Sequence, residues 1–105
     1  METIKLYEPS DDKTIYFKDL INKRHTVRDF KDTAISVEDL SYVLWAAYGF
    51  KKDGGRTVPS AGALYPLNIY IACGKLEVKK GEHAPNGLYA YEPYKHVLIL
   101  IKGED

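Results

Sequence analysis

Cysteine is almost missing: Cys73 stands alone among 105 residues. No internal disulfide can form, and a cysteine-rich metal site is excluded. Cys73 ends the apolar run Ile69-Tyr70-Ile71-Ala72-Cys73, where a thiol acts as a small hydrophobe rather than a nucleophile. Neither sign of charge is in excess. Fifteen basic and fifteen acidic residues cancel, which removes the phosphate-backbone grip that most nucleic-acid binders rely on. Long hydrophobic runs are also missing. Val97 to Ile101 is the longest strongly apolar stretch, far short of a membrane span. Met1-Glu2-Thr3 is not a charged segment leading into an apolar one, so no signal peptide is expected. The expectation is a cytoplasmic protein with neither nucleic acid nor membrane among its partners.

Several site signatures are absent too. Gly54-Gly55-Arg56 does not carry the Gly-x-x-x-x-Gly-Lys-Ser/Thr pattern of a phosphate loop, and no Gly-x-Gly-x-x-Gly fingerprint occurs. His25, His83 and His96 lack metal-ligand spacing, so no metal is expected. Ser60 has no nucleophile-elbow context. Repeats and low-complexity stretches are not found.

What is present suits one folded domain. Apolar residues make up 45% and charged residues 29%, a composition that can bury a core. Residues 1–13 are polar, with Pro9-Ser10-Asp11-Asp12 as a turn or loop. Phe17, Leu20 and Ile21 fall at helical spacing, which predicts a helix from about Thr14 to Arg24, capped by Asp11 or Thr14. Arg24 continues that stripe and is expected near buried structure. Ser36-Val37-Glu38-Asp39 fits a capping box opening a second helix. Leu40, Val43, Leu44 and Ala47 then form its apolar stripe, Trp45 and Tyr48 widen it, and Gly49 stops it. Lys51 to Arg56 reads as a loop. Leu67 to Cys73 alternates as a strand, and residues 74–87 read as polar and turn-rich. Leu88 to Glu92 and His96 to Lys102 read as a hairpin joined through Pro93-Tyr94-Lys95. Helix, helix, strand, strand, strand indicates an α+β fold.

Two segments look unlike scaffold. Lys23-Arg24-His25-Thr26-Val27-Arg28-Asp29-Phe30 gathers arginines, a lysine, a histidine and a hydroxyl just after a helix. Arginine forks suit phosphate and flat carbonyl-bearing rings. By composition alone, a solvated basic helix end favoured by the helix dipole is the plainer reading. The second is Thr57-Val58-Pro59-Ser60-Ala61-Gly62-Ala63-Leu64-Tyr65-Pro66. Its small residues let backbone approach a flat ligand closely, and its prolines stiffen it. A loop leading into the next strand fits it equally well.

Together, in this order, the two segments resemble the nitroreductase-like FMN-dependent flavoproteins. The first is similar to that family's opening Arg-x-Ser/Thr-x-Arg/Lys signature, the second to its Pro-Ser-rich segment ending in Pro. Leu44-Trp45-Ala46-Ala47-Tyr48-Gly49, then Arg56 to Pro66, then Gly87-Leu88-Tyr89-Ala90-Tyr91 ahead of Tyr94-Lys95-His96, look most like the SagB-type dehydrogenase branch. The resemblance runs from about Asn22 onward and covers the N-terminal half of the fold. It implies one truncated nitroreductase-like domain over residues 1–105, with 1–13 as an N-terminal extension and helices packed on a small, largely antiparallel sheet. It implies FMN as cofactor, held at its phosphate and ribityl region by Arg24 and Thr26, with His25 beside them and Arg28 at the flavin N1/O2 edge. Pro59, Ser60, Ala61 and Ala63 would line the flavin from a neighbouring subunit. No side chain is implied as a covalent catalyst. The activity implied is hydride transfer between NAD(P)H or a substrate and a small-molecule acceptor. The alternative is a truncated, non-catalytic interaction or assembly module, or half of a split flavoprotein.

A flavin shared between subunits implies a homodimer or larger homo-oligomer, with Trp45, Tyr48 and Pro59–Pro66 at or near the contact. Light scattering should report at least a dimer; a clean monomer at roughly tens of micromolar would count against it.

Overall fold

A computed structural model of the chain describes residues 2–8 and 17–104. The expected Pro9–Asp12 turn, the caps at Asp11 or Thr14 and the first turn of the first helix lie outside the described residues. The centre of the fold is the hairpin of β6 (Gly87–Glu92) and β7 (Val97–Gly103), where Tyr91 faces Leu98 across the ladder. Alternation puts Tyr89, Tyr91 and Leu98 on the inner face, all buried. β3 (Tyr70–Cys73) joins the β6 side, and β1 (Thr3–Lys5) joins the β7 side, both antiparallel. The resulting order, β1-β7-β6-β3, is an antiparallel sheet with one apolar face inward.

Helix α2 (Val37–Tyr48) adds Val37 and Leu44 to the core that this face builds. It starts as the capping pattern predicts: the Ser36 hydroxyl accepts from Asp39 N–H at 3.1 Å. It stops at Gly49, whose N–H reaches Trp45 O. Gly49 is needed for close approach rather than for a left-handed turn, because a Cβ there would lie 2.6 Å from Trp45 O. The buried face is rotated from the predicted stripe. It consists of Val37, Ser41, Leu44 and Tyr48, while Val43 is 61% exposed and Ala47 is also exposed. The cause is Ser41. Its hydroxyl donates to Val37 O at 2.5 Å and accepts from Tyr7 N–H at 3.0 Å, so a polar residue sits fully buried without an orphaned group.

Other readings need correction. The segment read as polar over residues 1–13 is not merely so: Ile4 in β1 and Leu6 just beyond it enter the core. Residues 74–87 contain β4 (Leu76–Lys79) and β5 (Glu82–His83), which with β2 (Ile35–Ser36) form a second, three-stranded sheet. Its β2–β4 pair is parallel. The strand expected from Leu67 begins only at Tyr70, although Tyr91 N–H already bonds Ile69 O. Helix α1 (Phe17–Lys23) packs on nothing described: it has no buried residue, and Phe17 is 76% exposed. Among the described residues, α2 is the helix that contributes to the core. Arg24, expected near buried structure, is exposed.

A buried polar chain ties the N-terminal strand to the hairpin turn. His96 Nε2 faces Tyr7 O at 2.8 Å, so that nitrogen donates. Nδ1 of the neutral ring then accepts from the Tyr91 hydroxyl at 2.8 Å. Burial, reinforced by the carboxylates of Glu8 and Glu92, raises the Tyr91 pKa from 10.0 to about 12. The neutral phenol is thus the form that folding favours. That contribution is complete below pH 10 and lost as pH climbs through about 12. Tyr91→Phe should lower stability by about 1–3 kcal/mol, because His96 Nδ1 loses its donor. It should also flatten the alkaline loss of stability relative to wild type. Urea unfolding at neutral and alkaline pH checks both; equal curves would refute the buried bond.

Candidate functional site

Beyond Gly49 the chain makes a tight return. Phe50 bridges Arg56, Lys51 N–H bonds Gly55 O at 2.7 Å, and Gly55 N–H bonds the Asp53 carboxylate at 2.8 Å. Lys51 lies 3.6 Å from Asp53, and these contacts lower the Asp53 pKa, the Gly55 N–H most of all. The return delivers Arg56 to the C-terminal end of α2. Helix ends leave carbonyls without partners. Arg56 donates from Nη2 to Tyr48 O at 2.8 Å and from Nε to Gly49 O at 3.2 Å. Its guanidinium carbon lies 4.5, 4.2 and 4.3 Å from the ring centres of Tyr48, Phe50 and Tyr65. Sequence reading ended a glycine loop at Arg56 and began the Arg56–Pro66 run with it, but gave it no role of its own. The available signal was a single arginine among three aromatics that only the fold brings together.

Residues 57–66 leave this cluster as a shaped loop. Gly49 N–H bonds Thr57 Oγ1, and Thr57 N–H bonds Gly49 O, both at 3.1 Å. Ser60 Oγ accepts from Tyr65 N–H at 3.0 Å, and the Tyr65 hydroxyl donates to Val58 O at 3.1 Å. Between them Ala61–Ala63 form one 3-10 turn. Gly62, Ala63 and Tyr65 have φ of 64°, 54° and 44°. Glycine takes that left-handed conformation freely; an L side chain there costs about 1–2 kcal/mol. Ala61, Gly62, Ala63 and Leu64 form an exposed crest, with Pro59 also exposed and Ser60 half-buried beneath. A Cβ added at Gly62 would meet nothing nearer than 3.7 Å. The crest is open, carries the left-handed Gly62 and Ala63, and rests on a bonded base formed by Ser60 and Tyr65.

The basic segment is arranged differently. Arg24 N–H continues α1 to Leu20 O at 3.0 Å, and His25 Nδ1 lies 3.0 Å from Lys23 O. Residues 24–33 are exposed throughout and carry no regular structure up to a bend at 32–33. The side chains of Arg24, Thr26 and Arg28 make no hydrogen bond or ion pair with another described residue. Within one chain, no such contact joins these residues to Pro59, Ser60, Ala61 or Ala63. Tyr48, expected at a contact between subunits, is only 6% exposed within its own chain, and its hydroxyl accepts from Leu67 N–H at 3.2 Å. A surface groove of about 440 Å³ lies elsewhere, along Cys73, Gly87, Leu88 and Lys102. Burial pushes the Cys73 thiol up, so no reactive thiolate stands there.

Residues 21–105 match the family model described as the nitroreductase family. The chain belongs to the nitroreductase family. It is 35% identical, over 99% of its length, to the Methanocaldococcus jannaschii protein named "Putative nitroreductase MJ1384", of which it covers 50%. The crystal structure of a similarly named protein from Ralstonia eutropha JMP134 superposes with a TM-score of 0.68 at 27% identity, over 96% of this chain and 44% of that one. The chain thus spans about half the length of these relatives. The α+β nitroreductase-like fold is that of the family. Among the described residues no helix is long and apolar enough to cross a membrane.

The left-handed crest gives a test of its own. Ala63→Gly removes a side chain from strained backbone at some cost in chain entropy. Stability in urea should stay level or rise by up to about 1 kcal/mol. A clear loss would show that the Ala63 conformation carries no strain.

Proposed function

We propose that this nitroreductase-family chain is an FMN-dependent oxidoreductase, or part of one, of the SagB-type dehydrogenase kind. It would pass hydride between NAD(P)H or a substrate and a small-molecule acceptor. The observation that carries the reading is the presence in one chain of an open small-residue crest at 61–63 and an exposed basic segment at 24–28. The donor set fits a phosphorylated flavin. Arg24 and Thr26 would hold the phosphate and ribityl chain, with His25 beside them, and Arg28 would place a cation at the N1/O2 edge. Pro59, Ser60, Ala61 and Ala63 would line the ring with backbone and small side chains. Bound FMN supplies the two-electron chemistry; the chain binds it, orients it and stabilises negative charge on the ring. Because no hydrogen bond or ion pair joins the two segments within one chain, a homodimer or larger assembly is part of this proposal. The second copy would supply the complementary segment.

The protein should take up FMN and turn yellow. Arg28→Ala should then weaken FMN by about 1.5–3 kcal/mol, the usual worth of a hydrogen bond to a charged group. It should also make the flavin harder to reduce. Titration and midpoint measurement check this. An unchanged affinity and potential would reduce Arg28 to a surface charge, and a colourless protein that refuses added FMN would end the cofactor reading.

A further inference from the structure

We infer that Arg56 is a positioning residue for the 57–66 loop, clamping it to the C-terminal end of α2 so that the Ala61–Leu64 crest keeps its shape before any ligand arrives. The role given to the crest rests on the flavin reading; the clamp itself rests on contacts within the chain. Arg56 bonds the last helix carbonyls, at Tyr48 O and Gly49 O. With the same planar group it stacks on Tyr65 at 4.3 Å. Tyr65 is the closing post of the loop: its N–H is bonded to Ser60 Oγ and its hydroxyl to Val58 O. Tyr48 braces the far side, packing edge-on against Tyr65 with ring centres 6.1 Å apart and accepting from Leu67 N–H beyond the loop. Helix end and loop post therefore meet at one guanidinium, and Tyr48 links them to the loop exit at Leu67. A left-handed Ala63 and Tyr65 need surroundings that hold them there. Lysine cannot replace this geometry, because an ammonium lacks the planar fork that donates in two directions while stacking.

The test compares wild type, Arg56→Met, Arg56→Lys and Ser41→Ala at a temperature where circular dichroism shows each folded. Amide exchange at Ala63, Leu64 and Tyr65 in the FMN-free protein reads the clamp, and FMN titration reads its consequence. In Arg56→Met those amides should exchange at least about tenfold faster while those of β6 stay protected. FMN should bind about ten- to a hundredfold more weakly, as expected when a site loses its supporting contacts. Arg56→Lys should fall between, and it carries the test alone if Arg56→Met does not fold. Ser41→Ala, which disturbs α2 away from the loop, should leave both readouts at wild-type values. Unchanged exchange in the Arg56 variants overturns the clamp. Faster exchange with unchanged FMN affinity overturns the positioning role. A wild-type chain that binds no FMN overturns the flavin reading and the role resting on it, while the exchange data still decide whether the clamp exists.

Discussion

The guanidinium of Arg56 against the end of α2 is the contact on which this side of the molecule depends. A helix that stops inside a fold leaves carbonyls needing donors, and a partly buried cation needs acceptors. Tyr48 O and Gly49 O answer both needs. The three rings around the cation add about 0.5–2 kcal/mol each by the usual range for such contacts. They come from the helix (Tyr48), the tight return (Phe50) and the far end of the loop (Tyr65). Phe50 in turn meets Tyr94 in the β6–β7 turn, with ring centres 5.7 Å apart. One polar group thus joins elements that apolar packing alone would leave free to slide.

Legibility in the sequence tracked the range of the interaction. The Ser36 cap was readable because its bond spans three residues. The hairpin was readable because Tyr89, Tyr91 and Leu98 alternate within one continuous stretch. The buried face of α2 was not, since Ser41 counts as polar in any periodic pattern and its partner, Tyr7, lies 34 residues away. β4 was missed because only Leu76 and Val78 mark it, too few to reveal a period of two. β1 was missed because Ile4 and Leu6 sit among polar neighbours, and the strand that pairs with β1 and the core residues that bury them lie far away in sequence.

The candidate site divided along the same line. Its two segments were visible as residue types, and their order carried the family resemblance. What held the second one in shape was invisible, because Arg56, Tyr48 and Tyr65 meet only after α2 has ended and the chain has turned back. The basic segment shows the opposite limit. Its stripe of Phe17, Leu20 and Ile21 predicted a packed helix, yet these side chains stand exposed. A helix of seven residues gains little without a covered face.

The pairing of β1 with β7 also constrains the route by which the chain folds. Tyr7 and His96, which share a buried bond, are 89 residues apart. Closing a loop of that size costs chain entropy before any contact repays it, and such long-range pairing slows folding. During synthesis β1 is made well before β7 and waits for it. Until β7 emerges, Ile4 and Leu6 have no strand to join, and the inner face of α2 near Ser41 stays open along that edge. Until β7 is made, the growing chain therefore exposes apolar surface that a chaperone or a neighbouring chain can hold.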